Sequence, residues 1–222
     1  MEDRIRCPRL RSKVMSAETA AEFIENGMSV GLSGFALAGD AKVVIKALLD
    51  RIKATGEEMR IDLLTGASVG EQIDGILSDA GIVNKRLPYQ SESHMRDSIN
   101  KGKVKYLDQN LSDTAEFLLD GFLGKLDVAI LEAVAITEEG GIILSTSIGN
   151  SSSFALLADK VIIELNLAQS RELEGIHDIY FIGKRPGRKP IPITKPEDRI
   201  GDKAVNINPD KIVGIVITNQ ED

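Results

Sequence analysis

The sequence predicts an α/β protein whose mostly parallel sheet is flanked by helices on both faces, a three-layer α/β/α arrangement. Three observations point there. Helical and strand-length apolar segments alternate from end to end, giving four or five βα repeats. Residues 127–135 form an almost unbroken apolar run, as expected of a strand covered on both sides. Residues 28–42 read as a short apolar strand, a loop with Gly34 and Gly39, and a helix that opens near Asp40. Such a unit sets loop backbone and a helix N-terminus at the carboxyl edge of a parallel sheet, where open α/β sheets bind ligands.

The elements follow in order. Ser16 can cap a helix to about residue 26, with Gly27 as its stop. Val30 and Leu32 belong to the first strand. Asp40 can cap a helix that sets Val43, Val44, Ala47 and Leu48 on one face and ends at Gly56. Residues 61–65 form the next strand, followed by a Gly66–Gly70 loop and a helix to about residue 80. Strands are expected at 83–87 and 104–107, and helices at 93–101 and 113–119. Glu138-Glu-Gly-Gly141 reads as a hairpin turn from the long apolar strand into 142–144. A small-residue loop over 145–153 leads to a short helix and a strand at 161–165. Residues 183–192 are rich in Pro, Gly and basic side chains and read as an exposed loop, and 212–217 form the last strand. No internal repeat or low-complexity tract occurs.

Composition narrows the function. The 222 residues suit one large domain or a small pair; 42% are apolar and 27% charged, an ordinary globular balance. A net charge of −7 and only 4% aromatic residues argue against a nucleic-acid partner or an anionic membrane. A single cysteine, Cys7, rules out a disulfide within the chain and fits a reducing compartment. The charged start and the lack of an 18-residue apolar run predict no signal peptide, no membrane span and a cytoplasmic location.

Common catalytic patterns are missing. His94, His177 and Cys7 do not have zinc-ligand spacing, so no metal is expected. Gly31-Leu-Ser-Gly34 matches neither phosphate-loop motif, and no G-x-S-x-G elbow occurs. A base and a phosphate cradle, which a sugar-phosphate isomerase would need, are both absent. His94 reads as a surface or capping residue and His177 as a local loop partner. Glu132 and Glu164 interrupt apolar strands near the ligand edge; as buried acids they need partners, and each can hold a substrate or a neighbouring loop. Ser33, Ser68, Ser91, Ser145, Thr146, Ser147 and Asn150 follow strands, so a parallel sheet would gather them on one edge.

Several blocks resemble the acetyl-CoA hydrolase/CoA-transferase family. They are Arg11-Ser-Lys-Val-Met-Ser16, Gly31-Leu-Ser-Gly-Phe35 with Gly39, Thr65-Gly-Ala-Ser68, Ala135-Ile-Thr-Glu-Glu-Gly-Gly141, Ser147-Ile-Gly-Asn150, Lys160-Val-Ile-Ile-Glu-Leu-Asn166, Glu174-Gly-Ile-His-Asp-Ile179 and Asn208-Pro-Asp-Lys-Ile212. The nearest pattern is that of class I enzymes that move CoA between succinate and acetate. The resemblance implies a CoA-transferase-like fold, an acyl-CoA and a short-chain carboxylate as substrates, and coenzyme A as substrate with no resident cofactor. It also implies two similar domains in a polypeptide about twice this length. On the same resemblance the nucleophile would be a glutamate of the second domain, forming a mixed anhydride and then a glutamyl-CoA thioester.

Residues 1–222 correspond to the first domain only, so this chain is expected to hold no catalytic residue and to be inactive alone. Its expected substrate-binding residues are Ser33, Gly34, Phe35, Gly66, Ser68, Ser91 and Asn150. Ser68 and Ser91 would offer hydroxyls to the acyl or carboxylate end. Ser91-Glu92 superficially resembles the family's Ser-Glu nucleophile motif but falls in the wrong half. The missing second domain is the expected partner, and the full-length protein is expected to be a homodimer. The alternative is a stand-alone, non-catalytic domain that binds a small carboxylate or an acyl-CoA.

Overall fold

A computed structural model describes residues 3–181 and 183–221; the first two residues of the charged amino terminus lie outside them. One nine-stranded sheet runs through the molecule. Its strands are β1 (Val14–Met15), β2 (Ser29–Leu32), β3 (Ile61–Leu64), β4 (Val83–Leu87), β5 (Lys105–Tyr106), β6 (Val128–Ile136), β7 (Ile142–Leu144), β8 (Lys160–Asn166) and β9 (Ile212–Thr218). The order is β1-β9-β8-β6-β2-β3-β4-β5, and every pair along it is parallel. β7 pairs antiparallel with β6 through the expected hairpin.

Helices cover both faces. On one, α1 (Ala17–Ala21), α2 (Val43–Thr55), α3 (Ile76–Asp79) and α4 (Ser93–Asn100) bury Ala20, Val44, Leu48, Leu77 and Met95 against Val30, Leu32, Leu63 and Ile130. On the other, α5 (Leu111–Leu119) and α6 (Ser151–Leu157) bury Leu118, Phe154 and Ala155 against Ala129, Leu131, Ile163 and Ile215. Alternate residues of β6 thus serve opposite cores, which explains its unbroken apolar run. Phe154 also explains a glycine within β2: a Cβ on Gly31 would lie 2.8 Å from the Phe154 ring.

Several local expectations are corrected. The first helix ends at Ala21, and turns carry the chain to Gly27. A π-helical turn over Glu71–Gly75 precedes α3. β1 was not legible; two residues become a strand only because β9 lies beside them. Asp40 does not cap α2, which opens at Val43 with Lys42 in the cap position.

From β2 the chain adds β3, β4 and β5 in one direction and then returns to place β6 on the other side of β2. The order therefore reverses between β2 and β6, which makes their carboxyl ends the switch point of the sheet. β6 pairs with β2 only over Val128–Ile130 and then continues past it, and there the hairpin brings Ser145 back to Glu132.

Candidate functional site

Four successive strand ends on one side of the switch point open into a cleft of about 630 Å³. Phe35 and Ala36 follow β2, Gly66 and Ala67 follow β3, Tyr89 follows β4, and Asp108, Gln109, Asn110 and Leu111 follow β5. Phe35 and Tyr89 are both exposed. The rim turn at Phe35 closes on itself: Phe35 N–H donates to the Ala38 carbonyl at 3.0 Å and Ala38 N–H to the Phe35 carbonyl at 3.1 Å. Its two central residues, Ala36 and Leu37, have φ of +50° and +75°. That is the backbone of a tight hairpin turn that ordinarily selects Asn-Gly, so the rim is strained.

Beneath the cleft, glycines let three loops touch. A Cβ on Gly66 would lie 2.4 Å from the Gly34 carbonyl oxygen and 3.3 Å from Gly149 Cα. Gly66→Ala is therefore expected to push the β2 loop away and to destabilise by about 1–3 kcal/mol. On a domain of this size that lowers Tm by about 2–4 °C per kcal/mol, and an unchanged melting curve would refute the close approach.

The structure separates the expected site residues. Phe35 and Gly66 line the cleft. Ser33 does not: its buried hydroxyl donates to the Gly39 carbonyl at 2.8 Å and accepts from Glu132 N–H at 2.8 Å. It braces the loop from behind. Gly34, at φ +121°, makes the bend and presses its carbonyl on Gly66. Asn150 is buried and donates to the Thr65 carbonyl at 3.2 Å, tying the β7–α6 loop to the β3 loop. Ser91 is exposed but is not among the residues that line the cleft.

Ser68 is held in a buried polar knot that sequence reading missed. Arg86 on β4 donates from Nε to Asp74 Oδ1 at 2.8 Å and from Nη2 to the Ala67 carbonyl at 3.0 Å; both charged side chains are fully buried. Asp74 in turn accepts from Val69 N–H at 2.8 Å. The Ser68 hydroxyl lies 2.7 Å from Gln90 Oε1 and 3.2 Å from Asp74 Oδ2, so its one proton is directed inward. Gln90 Oε1 also accepts from Glu92 N–H at 2.7 Å, which fixes the amide with Nε2 as the remaining donor. Among the described residues, Gln90 Nε2 and, on the cleft, Gln109 Oε1 are buried without a hydrogen-bond partner. Tyr89-Gln90 follows β4 after Pro88, and that position is the signal by which the pair could have been found.

The acids are structural. Glu132 accepts from Ser145 Oγ at 2.6 Å and from Asn166 Nδ2 at 2.9 Å. Glu164 caps α2 from across the sheet, accepting from the backbone N–H of Lys42, Val43 and Val44 at 2.8, 3.0 and 2.7 Å. Burial pushes its pKa up to about 7, against the pull of those three N–H groups, and the neighbouring Glu132 adds to the rise. Glu92 caps α4, taking the N–H of His94 and Met95 at 2.9 and 2.8 Å. His94 is exposed and contacts Asp79 at 2.9 Å, a carboxylate that raises its pKa. His177 reaches beyond its own loop, to the Ser145 carbonyl at 2.7 Å.

Among the described residues no three His, Cys, Asp or Glu side chains gather as a metal-holding group, and no helix is long and apolar enough to cross a membrane. The arrangement offers an open, partly aromatic cleft with amide groups and one lining carboxylate, Asp108, and no nucleophile–base pair among its lining residues.

A family model described as "Acetyl-CoA hydrolase/transferase N-terminal domain" matches residues 3–217. The chain is 49% identical over 221 residues to a succinyl-CoA:acetate CoA-transferase of Clostridium kluyveri, covering 100% of this chain and 41% of that protein. It is 40% identical over 211 residues to a propanoyl-CoA:succinate CoA transferase of Escherichia coli, with 94% and 43% covered. It is 34% identical over 231 residues to an acetyl-CoA hydrolase of Saccharomyces cerevisiae, with 100% and 44% covered. The chain thus spans less than half the length of these curated relatives. The crystal structure of glutaconate coenzyme A-transferase from Acidaminococcus fermentans shares the fold, with a TM-score of 0.64 at 14% identity over 94% of this chain and 76% of that one.

Proposed function

Because the chain belongs to the acetyl-CoA hydrolase/transferase family, as its amino-terminal domain, we propose that it forms one wall of an acyl-CoA site in a longer polypeptide. That polypeptide moves CoA between short-chain carboxylic acids such as acetate, succinate and propionate, or hydrolyses acetyl-CoA. The observation that carries this reading is the match to 94–100% of this chain but only 41–44% of the relatives. The cleft is compatible with it: an open wall at the strand ends, lined by Phe35, Gly66 and Tyr89, with Asp108 its one lining carboxylate.

On this reading a glutamate of the second domain attacks the thioester carbonyl and the CoA thiolate leaves, giving a mixed anhydride. The thiolate then attacks the glutamyl carbonyl, the first carboxylate departs, and a glutamyl-CoA thioester remains for the incoming carboxylate. This chain closes the carboxylate end with Phe35, Gly66 and Tyr89. The inward-turned Ser68 hydroxyl holds Gln90 in place. Water exclusion over the anhydride decides between transfer and hydrolysis. The proposal takes the whole polypeptide to be a cytoplasmic homodimer, with coenzyme A as substrate and no resident cofactor.

The expected result is that residues 1–222 release no thiol from acetyl-CoA at steady state, in a continuous thiol assay with and without succinate or acetate. Sustained release by this chain alone would overturn the proposal and return attention to Glu92, Glu132 and Glu164.

A further inference from the structure

The turn that carries Phe35 is strained, with Ala36 and Leu37 both at positive φ. Such backbone persists only where its surroundings over-determine it. Three sets of hydrogen bonds do so along the β2 loop. At its start the Ser33 hydroxyl joins Glu132 N–H on β6 to the Gly39 carbonyl. At its crest Ser147 Oγ donates to the Ala38 carbonyl at 2.7 Å. At its end the N–H groups of Lys42, Val43 and Val44 close on the Glu164 carboxylate. That last set is the strongest in kind, because bonds to an ionised carboxylate are roughly twice as strong as neutral ones. Its anchor is also firm: Glu164 is 1% exposed and pairs in register with Glu132 on β6 and Val216 on β9.

We propose that Glu164 is a positioning residue: through the first backbone amides of α2 it latches the β2 loop and holds Phe35 at the lip of the cleft. It is not among the residues that line the cleft, so it acts on a ligand only through that loop. Little slack separates latch from lip. Lys42 follows Ala38 by four residues, a span of at most about 14 Å. The strain supplies the motion, since a turn freed at its end relaxes away from positive φ. The latch stands on these bonds alone; its bearing on acyl exchange rests on the function proposed above.

Amide hydrogen exchange of the 222-residue chain tests the latch at pH 8, above the value of about 7 at which Glu164 gives up its proton. The variant is Glu164→Gln, which keeps one acceptor oxygen and sets an amide N–H against the remaining backbone donors. Five amides are expected to exchange roughly tenfold faster or more: those of Lys42, Val43 and Val44, and those of Phe35 and Ala38, which close the turn. Amides of β6 and β9 are expected to hold. Glu164→Asp keeps the charge but draws it back from α2; it should loosen the same five amides, and it carries the comparison if the glutamine variant does not fold. Unchanged exchange at Phe35 and Ala38, or a loss shared equally by β6 and β9, would overturn the latch. In the longer polypeptide Glu164→Gln should raise KM for the carboxylate roughly fivefold or more and leave kcat within about twofold. A fall in kcat alone would overturn the positioning role. A polypeptide without acyl exchange refutes the function proposed above, and the amide result still decides the latch.

Discussion

Replacing Arg86 with leucine is expected to destabilise the fold by about 3–5 kcal/mol, since it strands the Asp74 carboxylate in a fully buried position. The loss is local in origin and wide in effect. Asp74 holds Val69 N–H and lies within reach of the Ser68 hydroxyl, and Arg86 holds the Ala67 carbonyl, so the whole β3 loop depends on the pair. Urea unfolding measures it as a lower midpoint with an unchanged slope. Arg86→Leu/Asp74→Leu should recover much of the loss, because two apolar side chains leave no bare charge behind. A single-variant loss below about 1 kcal/mol would reduce the pair to the worth of a surface ion pair and refute this account.

Glu164 should make stability depend on pH in the direction opposite to most acids. Its folded pKa, about 7, lies above the ordinary 4.5, so between those values the folded state holds a proton that the unfolded chain has lost. The resulting stabilisation is complete below about 4.5 and disappears as pH rises through about 7, a span of about 3 kcal/mol. His94, raised by Asp79, adds a trend of the same sign at higher pH. The informative quantity is therefore the difference between wild type and Glu164→Gln, measured as urea midpoints from pH 5 to 8. That difference should shrink steadily with pH; parallel profiles would show that the three cap N–H groups outweigh burial and keep Glu164 ionised throughout.

The layered fold was legible because its signals are local. β6 announced itself by apolar length, and α2 by the spacing of Val43, Val44, Ala47 and Leu48. The cap of α2 was not, because Glu164 arrives from 120 residues downstream, while the cap position itself falls at Lys42 and not at Asp40. The site divides similarly. Phe35 and Gly66 were visible as residues just past strand ends, and they do line the cleft. Ser33 and Ser68 sit at equally favourable places in sequence. Their hydroxyls turn inward because the Gly39 carbonyl and Gln90 wait there, and hydroxyl direction is set by partners that residue order alone cannot supply. Arg86 was overlooked because an arginine within a strand reads as an exposed residue until its acid, on another element, is known.

The turn from Phe35 to Ala38 has one more consequence. Asn-Gly at its centre would fit the left-handed backbone with less strain than Ala36-Leu37. It would also remove the Leu37 side chain, which lies over Gly70 at the end of the β3 loop, 2.3 Å from where a Cβ there would stand. The chain is therefore held short of its most stable sequence at the lip of its own cleft. Selection for thermal stability alone would favour rewriting these two residues, and in doing so would remove a contact between the β2 loop and the β3 loop.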